Sequence, residues 1–158
     1  MGRFDEADLI WLRWKQSPRP YACNTLSGIY STVEPRFLGG KYREAVIDAA
    51  SLLDGGVNRL PFEFPYAYLV VCHLHLKDFD LAADCYKKGM RQLEVHYSGT
   101  HLFEASHFFC YQIRTRNMSL AIRHFEEWPN ISAGTTNEEN NAIFRVVSLS
   151  LFELLSSE

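Results

Sequence analysis

The side chains here with most capacity for chemistry are soft or titratable: Cys72, His73, His75, Cys85, His101, His107 and Cys110. Imidazoles and thiolates together make zinc sites, and a thiol beside an imidazole is the pair from which cysteine nucleophiles are built. Spacing argues against both. His73 and His75 lie two residues apart in a stretch of helical periodicity, so their side chains diverge by about 200° and cannot share one ion. His107 and Cys110, at i and i+3, do share a face, and Cys72 or His75 could join them from a neighbouring helix. A nucleophile pair also needs a carboxylate or amide to orient its base, and none stands beside His107 and Cys110. Glycine-rich phosphate loops are absent, since Gly39-Gly40 and Gly55-Gly56 read as helix stops. Glu126-Glu127 reads as a solvated turn, and Glu138-Glu139 as charge near a helix N-terminus. The chain therefore reads as no enzyme, with no metal or cofactor. A zinc-binding or thiol enzyme is the last-ranked alternative.

The elements that must position these side chains are helices. At 158 residues, 47% of them apolar and 22% charged, the chain is long and apolar enough to bury a core as one domain. A net charge of −3 gives no electrostatic footprint for nucleic acid. The four cysteines have no C-x-x-C spacing and read as small buried hydrophobes in a reducing compartment, so a cytoplasmic location is expected. The longest apolar run, Ala67 to Cys72, is too short to cross a bilayer, and no membrane association is expected.

No stretch alternates with period two, so the expected fold class is all-α, with seven to eight helices. A terminal helix is expected at about 8–16, where Leu9, Ile10, Trp11, Leu12 and Trp14 cover most of the circumference. A stripe of Leu26, Ile29, Tyr30 and Val33 follows, ended by Pro35 and Gly39-Gly40. Tyr42 to Leu53 comes next, stopped by Gly55-Gly56. The stretch Tyr66 to Gly89 reads as two helices around the polar break Lys77-Asp78, the second continuing through Leu93. Leu102 to about Thr115 and a helix capped by Asn117 follow, closed by Pro129. A terminal helix at about 138–155 carries Phe144, Val147, Leu151 and Leu154 on one face.

Three segments repeat one pattern. GKYREAVIDA, KDFDLAADCY and RNMSLAIRHF each set a bulky residue (Tyr42, Phe79, Met118) three before an alanine (Ala45, Ala82, Ala121). A further packing residue (Ala49, Tyr86, Phe125) comes four later. The alanines recur at intervals of 37 and 39 residues. A two-helix repeat of this length resembles the tetratricopeptide repeat, whose period is 34 residues. The middle copy matches best: Leu69 and Ala82 match the family pattern, while Tyr66, Val70, His73 and Tyr86 stand where the family has Trp, Gly, Tyr and Phe. The third copy, with Ala105, Phe108, Phe109 and Gln112 in its first helix, and the first, with Pro35 and Thr32, depart further. No copy carries the terminal Pro in register.

The resemblance implies antiparallel helical hairpins at about 22–54, 62–97 and 101–128, stacked as a right-handed solenoid whose first helices line a groove for a partner segment. The groove positions it implies are Tyr30 and Glu34 in the first pair, Phe64, Ala67, Val71, Leu74 and His75 in the middle pair, and Phe103, Ser106, Cys110, Ile113 and Arg114 in the third, with His75, His107 and Arg114 as polar handles. They make a largely apolar surface suited to a helical or extended peptide, so the function it implies is a protein–protein interaction scaffold or adaptor. The Lys/Asn set with which some family members clamp a C-terminal carboxylate is missing. The apolar terminal helices keep a homodimeric assembly subunit open as the alternative, together with a small protein that neutralises a dedicated partner enzyme.

Overall fold

The computed structural model describes residues 32–54, 65–96, 101–128 and 138–157, with isolated positions 6, 9, 10 and 13. The expected terminal helix at 8–16 otherwise lies outside the described residues, as do Tyr30, Phe64 and most of the stripe before Val33. The described chain is all-helical: α1 (Glu34–Leu38), α2 (Tyr42–Asp54), α3 (Pro65–Leu76), α4 (Phe79–His96), α5 (Leu102–Arg114), α6 (Met118–Glu127) and α7 (Glu138–Ser156). No strand occurs among the described residues.

The core gathers around α3 and α5. Helix α3 packs against α1, α2, α4 and α5, and α5 packs in turn against α3, α4, α6 and α7. The sequence PYAYLVVCHLHL explains why α3 is central. It holds no Asp, Glu, Lys or Arg, and every residue from Ala67 to Leu74 is buried. A helix apolar on all sides has to lie inside. Its neighbour α5 contributes Phe108 and Phe109, both fully buried. Burial of each such ring stabilises the fold by roughly 1.5–3 kcal/mol.

The same joint connects three successive pairs of helices. At the first, the Lys41 N–H donates to Arg36 O (2.8 Å) and the Gly40 N–H to Phe37 O (3.0 Å). At the second, Asp78 donates to His73 O (2.9 Å) and Lys77 to Leu74 O (3.3 Å). At the third, Asn117 donates to Gln112 O (2.9 Å) and Arg116 to Ile113 O (3.1 Å). Each is a Schellman ending, with a left-handed residue between the two helices. Those residues are Gly40 (φ 73°), Lys77 (φ 64°) and Arg116 (φ 56°). The residue after each one starts the next helix, because its carbonyl accepts from Ala45, Ala82 or Ala121, each at 3.0 Å. All three alanines are fully buried.

Two local expectations change. Pro35 does not end a helix: it sits in the first turn of α1, where its missing N–H breaks no bond, and the helix runs on to Leu38. Asn117 begins α6 through its backbone carbonyl, and its side chain makes no cap bond. Gly89 lies inside α4, where a Cβ would overlap the Phe108 ring and come within 3.1 Å of Tyr66 Cβ.

Candidate functional site

Helical spacing sets two stripes side by side. On α5, Phe103, His107, Cys110 and Arg114 recur at steps of four, three and four. On α3, Tyr68, Val71 and His75 recur at steps of three and four. Rings join the stripes to each other and to α1 and α2. Tyr68 lies 5.3 Å from Phe37, 5.2 Å from Phe103 and 6.0 Å from His107, centroid to centroid. Phe103 and His107 are 4.3 Å apart, and Phe37 reaches His107 at 5.6 Å. At the other end of α3, His75 stacks on Tyr42 at 4.2 Å with the rings 8° from parallel. The Tyr68 hydroxyl donates to Glu34 Oε1 (3.2 Å), which ties this aromatic floor to α1.

Of the residues expected at a groove, Tyr30 and Phe64 lie outside the described residues, Ala67, Leu74, Ser106 and Ile113 are buried, and Glu34, Val71, His75, Phe103, His107, Cys110 and Arg114 lie on or beside this face. Val71 and His107 are buried and form its floor, Phe103 and Cys110 are half-buried, and His75 and Arg114 are exposed. The His107 Nδ1–H donates to Phe103 O (2.8 Å), and burial pushes its pKa down to about 4, so the ring is neutral. Burial also lowers the His75 pKa, with the Arg114 guanidinium adding to the effect. Arg114 is therefore the fixed cation of the face.

The three described thiols are held protonated. Burial raises Cys72 to about 12 and Cys85 to about 11, and it raises Cys110 as well, against the pull of Arg114. A thiol held protonated is a poor nucleophile and a poor metal ligand. Among the described residues no three His, Cys, Asp or Glu side chains group as metal ligands would. No described helix is long and apolar enough to cross a membrane. His73 is a packed residue, buried, with Nδ1 3.5 Å from Asp78 Oδ2.

On the far side of α5, an interior polar network had no counterpart among the sequence expectations. The fully buried Gln112 donates from Nε2 to the Tyr86 hydroxyl (2.8 Å) and meets His124 Nδ1 at 2.8 Å. Burial, then the Arg123 charge, lowers the His124 pKa, so the neutral ring can accept. His124 in turn stacks on Trp128 at 4.2 Å. The available signal was Gln112 itself, an amide set in an apolar stripe four residues after Phe108, which burial obliges to find partners. Two surface clefts lie among the described residues. One, of about 490 Å³, runs from Arg43 and Ile47 of α2 to Leu76, Asp78 and Leu81. The other, of about 350 Å³, lies between α4 and α6.

The chain matches no family model, no curated protein and no solved structure.

Proposed function

We propose that the chain is a tetratricopeptide-like repeat domain, a scaffold or adaptor that binds a helical or extended segment of another protein over the α3/α5 face. The observation that carries this reading is the thrice-repeated joint. Three Schellman endings, each followed by a fully buried alanine five residues after its left-handed residue, recur at the intervals of the sequence pattern. Such units support a stacked array of antiparallel hairpins, in which equivalent helices of successive pairs lie next to each other. The packing of α1 on α3, α3 on α5 and α5 on α7 agrees with that order. In such an array the stripe from Phe103 to Arg114 and the one from Tyr68 to His75 become one continuous surface. Aromatic edges form its floor, while His75 and Arg114 are the polar handles that fix a partner's register.

Affinity capture from the native cell extract tests this, with the wild-type chain beside Arg114→Glu. Arg114 is exposed and in none of the described ion pairs, so the variant keeps its melting curve while its partner is depleted about ten-fold or more. An undiminished partner removes Arg114 from the interface.

The second reading, a homodimeric subunit, is favoured by α7. Phe144, Ser148 and Leu151 of that helix are buried, whereas Val146, Leu149, Phe152 and Leu155 are 40–62% exposed along its outer side. Light scattering decides between monomer and dimer, and Leu149→Glu abolishes the dimer if this face makes it.

A further inference from the structure

Three cations converge on the cleft between α4 and α6. Lys87 and Arg91, one turn apart on α4, meet Arg123 of α6 there, above a floor of Tyr86, Met90 and Leu120. The inner end is fixed, since Tyr86 and His124 are both held by the fully buried Gln112. No Asp or Glu is among the described residues lining the cleft. That is a local reversal of sign on a chain whose net charge is −3.

The neighbouring charges make the contrast sharper. Lys88, on another side of α4, is neutralised by Asp84 at 2.7 Å. Arg123 has only a loose partner, Glu127 at 3.9 Å on its own helix, and both side chains are more than half exposed. Lys87 and Arg91 enter none of the described ion pairs, and both are exposed.

We propose that this cleft docks an acidic, amphipathic segment of a partner protein. In it an apolar side chain rests on Met90 and Leu120, and Asp or Glu carboxylates lie between Lys87, Arg91 and Arg123. The surface is separate from the α3/α5 face. On α5 Phe108 and Gln112 turn toward α4 and α6, on the side of the helix away from Phe103, His107, Cys110 and Arg114, and Tyr111 lies between the two surfaces.

Charge complementarity selects the occupant. Arginine forks and a lysine ammonium set about an apolar floor match carboxylates carried beside an apolar residue. A bare phosphate leaves Met90 and Leu120 in water. A nucleic-acid strand needs a basic track longer than one cleft. At about 350 Å³ the cleft falls at the small end of binding pockets, the size for one or two side chains rather than a whole helix.

The test is fluorescence anisotropy with a dye-labelled, end-capped peptide of glutamates with one leucine per helical turn. Its counterpart carries glutamine for every glutamate. The Glu peptide binds, with an affinity that falls as salt rises, and the Gln peptide does not. In Lys87→Glu/Arg123→Glu the affinity drops about ten-fold or more. The charge-matched Arg43→Glu/Arg145→Glu stays within about two-fold of wild type, since a salt-screened long-range field falls off beyond about 10 Å. All four side chains are exposed, so both variants keep the wild-type melting curve. Equal affinity for the two peptides, or an equal loss in the two double variants, overturns the proposal. So does cleft-dependent binding of inorganic phosphate or single-stranded RNA in place of the Glu peptide.

Discussion

Gly89→Ala separates packing from propensity in one substitution. In an exposed helix interior this change stabilises by about 1 kcal/mol, because alanine loses less backbone entropy than glycine. Gly89 lies inside α4, but its Cα faces the ring of Phe108, and an added Cβ overlaps Cζ and Cε1 of that ring. Phe108 is fully buried and meets Tyr86 edge-on at 6.0 Å, so it has nowhere to swing. Overpacking of this kind costs about 1–3 kcal/mol. Set against the propensity gain, the net loss is about 1 kcal/mol, or a fall of about 2–4 °C in Tm for a chain of this size. Phe108→Leu removes the two ring atoms concerned. In that background Gly89→Ala regains its ordinary stabilising sign, and the double-mutant cycle gives a coupling of about 2 kcal/mol. Urea denaturation followed by far-UV circular dichroism measures all four variants. A wild-type chain stabilised by Gly89→Ala, or additive effects in the cycle, refutes the close approach of α4 and α5.

Lys77→Gly relieves a left-handed residue that carries a Cβ (φ 64°) and raises stability by about 0.5–1 kcal/mol. A lower melting temperature contradicts the Schellman geometry. Ala82→Asp puts an unpaired carboxylate at a fully buried contact and costs at least about 3 kcal/mol, so an unchanged thermal melt sinks the hairpin argument. Glu104 gives a pH-dependent prediction. Burial raises its carboxyl from 4.5 to about 7, and the charged alternative is little relieved by His101 Nδ1 at 3.8 Å. From about pH 4.5 upward the unfolded chain releases a proton that the fold retains, so the stabilising contribution of the neutral acid fades as pH rises and is gone above about 7. Glu104→Gln is accordingly neutral near pH 4.5 and gains up to about 3 kcal/mol above pH 7. A gain that is flat with pH refutes the buried-acid assignment.

The amino-acid pattern carries the helical class, the boundaries around Lys77-Asp78 and the three buried alanines, because periodicity and punctuation are local properties. It does not carry the left-handed Lys77 and Arg116. A Schellman ending needs a left-handed residue, and no local pattern marks a lysine or an arginine for that conformation. Nor does it say which stripe of α3 is covered. A helix apolar all round offers the same signal on each side, and here α1, α2, α4 and α5 bury nearly all of it. Val71 and His107 have helical spacing consistent with a groove, yet both are buried, which spacing alone does not reveal. The Gln112–His124–Tyr86 network depends on residues 26 and 12 positions apart, a separation that no local pattern encodes.

The central claim is that the α3/α5 face receives a protein segment. A photo-crosslinking residue placed at Phe103, which is half-buried at the edge of the aromatic floor, tests this in the native extract against the same residue at Ser150 on the exposed side of α7. One discrete crosslinked protein is expected at position 103, absent at position 150 and lost when Arg114→Glu is added. Identical products at the two positions, or a product at 103 indifferent to Arg114→Glu, contradict it.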